Sequence, residues 1–252
     1  MHSRWWQFFR TMRATIYLIW TFLLPTVSIG QTTDLFKVSE GIITDSLRSQ
    51  IEAWKKSKPT FYEDEVYLVS KTCSGEWGGT VKFKNKMTGI EYASSATCPI
   101  SVNKISNIYY VTNSLGHLSG SCEVLEIRRP DSMKIFKIPP PRKIKGKKVF
   151  YVGDDESNST KGTKKLIGNY GMLILGSFLF RGNLFHIVRN DKETYIATIE
   201  NEKFKSIKFL TNQNTFTYDN EIMKTKDGHL LIPISGGYLD IFNNEVTILR
   251  HQ

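Results

Sequence analysis

The chain is predicted to be all-β. The expected fold is a small β-propeller of four or five units, closed by an N-terminal strand that follows a targeting segment. Three observations predict it. Short apolar strands recur in groups of three from residue 60 to the end, each group opening with a strand followed by a glycine-bearing loop. Tight-turn sequences separate the second and third strands of each group, as in Asn243-Asn244 between GYLDIF (237–242) and EVTILR (245–250). That last hairpin is only marginally stable alone, and LFKV (35–38) is placed to complete its sheet. A β-sandwich is the alternative, because it too has many short strands with turn signals at regular spacing.

Before the strands, Arg4, Arg10 and Arg13 precede the uncharged run ATIYLIWTFLLPTVSIG (14–30). A basic start, a short apolar stretch and then small residues are the order of a secretory signal peptide, with cleavage near Gln31. Export to the periplasm, cell surface or medium is expected. A membrane anchor made by residues 14–30 is the alternative, since a span needs about 20 apolar residues. Losing Arg4, Arg10 and Arg13 with no acid lowers the formal charge from +10 to +7.

Next, Ile43, Leu47, Ile51 and Trp54 share one helical face, with Thr44 or Asp45 to cap the start and Pro59 to end it. Residues 31–59 thus supply a closing strand and a helix, and 60–252 the β domain. The first group is VYLVS (66–70), GTVKFK (79–84) and IEYA (90–93). The second is IYYVT (108–112), CEVLEI (122–127) and MKIFKI (133–138). The third is MLILGS (172–177), NLFHIV (183–188) and TYIATI (194–199), and the fourth HLLIPIS (229–235), GYLDIF and EVTILR. SVNKI (101–105), KVFYV (148–152) and FKSIKFL (204–210) read as outer, fourth strands, and a fifth unit has room in 148–171 or 204–225. The segments WGGTVKFKNKMTGIEYAS (77–94) and NIYYVTNSLGHLSGSCEVLEI (107–127) resemble blades of exported bacterial β-propeller-like proteins of uncharacterised function. The resemblance implies the fold and no activity, because propellers host many functions.

Chemistry-bearing motifs are sparse. No H-E-x-x-H, C-x-x-C, G-x-S-x-G or EF-hand spacing occurs, so no metal or cofactor is expected. No nucleic-acid motif accompanies the basic run PPPRKIKGKK (139–148). GDDESNSTKG (153–162) has oxygen donors without calcium-loop spacing and reads as a plain flexible loop. Candidate ligand-binding residues are Glu76, Trp77, His117, Glu123 and Arg181, with no catalytic assignment. Glu91 and Asp240 are further strand acids, and His186 reads as a core histidine. Cys73, Cys98 and Cys122 are an odd set in an oxidising compartment. Cys73 with Cys98 is the preferred pairing, Cys98 with Cys122 the rival, and three free thiols the third arrangement. The expected function is a non-catalytic binding or scaffold protein that recognises a glycan or protein through loops on one face. A secreted hydrolase or lyase, with carboxylates and a histidine at a central channel, is the alternative. Membrane contact is expected only if the N-terminal segment is retained.

Overall fold

The computed structural model describes residues 34–57, 60–149, 153–219 and 221–251. Residues 1–30, the expected signal peptide, lie outside them. Strand dominates the described residues, in four sheets of four or five strands, one exposed hairpin and a single α-helix.

Sheet I joins Tyr62–Glu63, Tyr67–Lys71, Thr80–Asn85, Glu91–Ser95 and Lys134–Ile135 in that order. Tyr67, Val69, Val81 and Phe83 alternate onto one buried face, and Val69 stands opposite Phe83. Sheet II is ordered Pro99–Ile105, Ile108–Leu115, Ser121–Ile127, Lys164–Tyr170. Sheet III runs Leu173–Phe180, Asn183–Arg189, Thr194–Glu200, Lys203–Thr211 without a crossover. In sheet IV, Met223–Lys224, Leu230–Ile234, Gly237–Phe242 and Glu245–Arg250 are followed by Lys37–Ile42, which pairs in parallel.

Three strands pair differently from expectation. SVNKI belongs to Pro99–Ile105 and opens sheet II, because Ser106 (φ 50°) and Asn107 (φ 69°) make a two-residue hairpin turn to Ile108. MKIFKI contributes only Lys134–Ile135, which borders sheet I opposite Tyr92 and Ala93. The turn Pro130–Ser132 redirects the chain, buried Met133 anchors it between sheets I and II, and prolines 139–141 supply no N–H to continue a ladder. Lys164–Tyr170 takes the outer place in sheet II. Of KVFYV, Lys147–Val149 pairs with Arg142–Ile144 in the exposed hairpin, and 150–152 lie outside the described residues. FKSIKFL forms the outer strand of sheet III.

The N-terminal strand pairs with Glu245–Arg250, from Lys37 opposite Glu245 to Ile42 opposite Arg250. It starts two residues later than LFKV because Phe36 is used as a plug. Its ring is fully buried, with centroids 5.7, 5.4 and 5.0 Å from Phe178, Phe180 and Phe185 of sheet III. The helix Asp45–Ser57 follows, and Thr44 Oγ1 accepts the N–H of Leu47 as its cap. Ile51 of the helix packs with Ile43 on Met223, Leu231 and Leu249 of sheet IV.

Apolar cores lie between successive sheets. Val69, Phe83, Tyr109 and Ile127 join sheets I and II, and Ile100, Val124, Ile174 and Val188 join II and III. Phe178, Ile187, Ile232 and Leu239 join III and IV. Gly176 sits at a register shift where an added Cβ would lie 2.5 Å from Ile232 Cδ1, so the III–IV contact depends on its missing side chain.

Candidate functional site

Two clefts are lined by residues from or beside all four sheets. The larger, about 950 Å³, is reached by Phe61 and Lys71, by 100–104, by 177–181 and by Lys224 and Leu230. The smaller, about 260 Å³, is reached by Cys73 and Glu76, by Cys98, by 114–117, by 173–175, by 216–219 and by Pro233. Ile100 borders both.

The loop at the smaller cleft is held from several directions. Cys73 and Cys98 form a disulfide, with Cα atoms 4.3 Å apart, and Cys98 takes φ 52°. Cys122 is a buried free thiol, its pKa pushed by burial up to about 12, so it is a poor nucleophile at neutral pH. Between the bridged cysteines, Gly75 (φ 63°) and Gly78 (φ 111°) allow the short turn Gly75–Trp77.

From outside, Glu156 accepts hydrogen bonds from Thr72 Oγ1 (2.6 Å), Ser74 Oγ (2.7 Å) and Thr80 Oγ1 (2.6 Å). Burial would raise this carboxyl; the hydroxyls of Thr72, Thr80 and Ser74, with nearby Lys82, outweigh it and hold the pKa below the ordinary value. The segment 153–162 is therefore a strut rather than the plain flexible loop its composition implies. Ser159 also accepts the N–H of Ser95 at 2.8 Å.

This framework projects Trp77, which is 84% exposed. Beside it Glu76 Oε2 lies 3.4 Å from His117 Nδ1, both side chains about half exposed. His117 comes from sheet II, in a loop whose Gly116 is flush against Phe216; an added Cβ there would lie 2.3 Å from that ring. Phe216 in turn packs edge-on to Tyr218 at 4.9 Å, and Tyr218 is 85% exposed. Glu76 and His117 are thus brought together at the smaller cleft, and Phe216 and Tyr218 join them from a stretch that carries no strand signal; Trp77 follows Glu76 in the chain and is not among the cleft's walls.

The other two candidates go elsewhere. Glu123 lines neither cleft: it accepts from Asn113 Nδ2 at 3.1 Å and pairs with Lys165 Nζ at 2.9 Å on sheet II. Arg181 occupies the turn after Leu173–Phe180 and lines the larger cleft, its guanidinium 5.0 Å from the Phe180 ring centre. Asp240 is held by His229 Nδ1 at 2.8 Å, and that imidazole stacks on Phe242 at 4.3 Å. Glu76, His117, Glu123 and Arg181 therefore do not converge on one reaction centre. His186 is buried, 2.7 Å from Ser177 Oγ, which is 2.9 Å from Thr112 Oγ1. Burial lowers its pKa to about 3, so it is a neutral core residue. Among the described residues no three His, Cys, Asp or Glu side chains gather in a way that could hold a metal ion.

Opening the bridge tests the framework. The Cys73→Ser/Cys98→Ser double variant should lose about 3 kcal/mol, the chain-entropy value for a loop of this size. Urea titration at neutral pH reads the loss, and a loss below about 1 kcal/mol would show that the Glu156 strut alone holds the loop.

Comparison with protein-family models, curated proteins and solved structures finds no match to this chain.

Proposed function

We propose that the chain is an exported, non-catalytic binding protein, a small propeller that holds a glycan at the smaller cleft, where Glu76 and His117 meet beside the exposed Trp77. The observation that carries this reading is the pair of exposed aromatic side chains, Trp77 and Tyr218, beside a cleft with a half-exposed carboxylate and imidazole. Flat aromatic faces suit the C–H faces of sugar rings. The carboxylate accepts from sugar hydroxyls, and the imidazole either donates or accepts. The cleft is a recess with few polar groups of fixed position, the usual form of a small-ligand site.

The propeller reading rests on the order and direction of the sheets. Sheets I, II, III and IV follow in chain order, and each shares a core with the next. Pro99–Ile105 and Leu173–Phe180 each run from the smaller cleft toward the larger, and 217–219 line the smaller cleft while 221, 222 and 224 line the larger, so three segments are ordered the same way. Pairing of Lys37–Ile42 with Glu245–Arg250 leaves the last sheet with a covered edge. Export is supported by the Arg-rich start and apolar run of residues 1–30.

Trp54, which lines the larger cleft, and Trp77 are the tryptophans beyond residue 30, so quenching that is lost in Trp77→Ala reports on Trp77. Titration with chitotriose, cellotriose, maltotriose and mannotriose should show saturable quenching by at least one. Trp77→Ala should weaken that sugar about 10-fold or more, the loss of ~1.4 kcal/mol of stacking. Silence across the panel from folded protein, or equal affinity in the variant, would overturn the assignment.

A further inference from the structure

The larger cleft has a different character from the smaller one. Its walls carry Lys55, Lys71, Lys104, Arg181 and Lys224 against one carboxylate, that of Glu221. Two of these cations have their charge answered within the protein: Lys55 Nζ by Asp219 at 2.6 Å and Lys104 Nζ by Asp64 at 2.7 Å. Arg181 and Lys224 have no carboxylate partner among the described residues. Lys71 makes no ion pair among the described residues: it donates to the Pro99 carbonyl at 2.8 Å with its ammonium 4.5 Å from the Phe61 ring centre, and Glu221 acts on it only through space. Burial, partly offset by Glu221, holds the Lys71 pKa below its ordinary value, the mark of a cation short of a counter-charge. Ser101, also on the wall, has a buried Oγ with no hydrogen-bond partner.

The geometry points to a second binding site here, for an acidic oligosaccharide whose carboxylates meet Arg181, Lys224 and Lys71 while its rings lie against Phe61, Tyr62 and Phe180. The cations come from separate elements: the turn after Phe180, the short strand Met223–Lys224 and the end of Tyr67–Lys71. Dispersed charge matches a ligand carrying one carboxylate per ring better than a single compact phosphate, which prefers converging donors. A guanidinium already seated on the Phe180 ring is set for planar contact with a carboxylate. A cleft of about 950 Å³ accommodates several rings. This site is separate from the one beside Trp77, since Glu76, His117 and Tyr218 line the smaller cleft and not this one.

The probe is trigalacturonic acid, titrated calorimetrically into wild-type protein and into Trp77→Ala, which removes signal from the other cleft. Binding should appear in both, weaken with added salt, and fall about 10-fold or more in Arg181→Ala/Lys224→Ala, whose fold is checked by circular dichroism. The fully methyl-esterified trisaccharide, with the same rings and no charge, should not bind the Trp77→Ala protein. Four outcomes overturn the inference: no heat from the folded proteins, equal binding of the ester, tighter binding of inorganic phosphate, or unchanged affinity in the double variant. None of these bears on neutral-sugar binding at Trp77, so the two sites stand or fall separately.

Discussion

Replacing Phe36 with alanine should lower the unfolding free energy by about 4 kcal/mol, the usual loss for a large aromatic removed from a packed core. The ring is fully buried among Phe178, Phe180 and Phe185, so the vacated space is walled by side chains of sheet III that cannot collapse onto a small residue. The loss extends beyond the cavity. Phe36 immediately precedes Lys37–Ile42, and unseating it frees the edge of Glu245–Arg250 for pairing with other chains. Urea denaturation should therefore show a lower midpoint together with greater light scattering on warming. A midpoint within about 1 kcal/mol of wild type would mean that the strand is held by its ladder alone.

The second large effect centres on Asp64, which ties sheet I to sheet II. Its Oδ2 accepts from Lys104 Nζ at 2.7 Å and Tyr109 Oη at 2.6 Å, and its Oδ1 from the N–H groups of Val66 and Tyr67 at 2.9 and 2.8 Å. Burial alone would raise the carboxyl pKa. The hydrogen bonds from Lys104, Tyr109, Tyr67 and Val66 outweigh it and hold the group well below the carboxylate range, while burial and this same carboxylate push the Tyr109 phenol up. Asp64→Ala leaves four donors without their acceptor and should cost about 3 kcal/mol. Because the folded pKa is depressed, the stabilisation is complete above about pH 4, where an unfolded aspartate is ionised, and drains away as pH falls. Asp64→Asn should thus be less stable than wild type at pH 7 and lose less further stability on acidification. Parallel pH–stability curves for the two proteins would refute this role.

Local pattern made the helix and most strands legible. Alternation in EVTILR and NLFHIV, and the Thr44 cap, are properties of neighbouring residues, and the structure keeps them. Sheet membership is not a local property. MKIFKI alternates well but borders sheet I because Met133 is buried there, while KKLIGNY (164–170) has one buried residue and gave little strand signal. Glu76, Trp77 and His117 stood out because glycines flank them, whereas Phe216 and Tyr218 become part of the site only through the contact with Gly116. The basic cleft was hidden for a related reason: its cations lie on separate elements and only the packing of the four sheets assembles them.

A crystal structure of the protein with the neutral oligosaccharide that binds it best tests glycan recognition at Trp77 most directly. A pyranose ring should stack on the Trp77 indole, with a ring hydroxyl hydrogen-bonded to the Glu76 carboxylate and Tyr218 closing the far side. A sugar bound elsewhere, with the indole left bare to solvent, would contradict it.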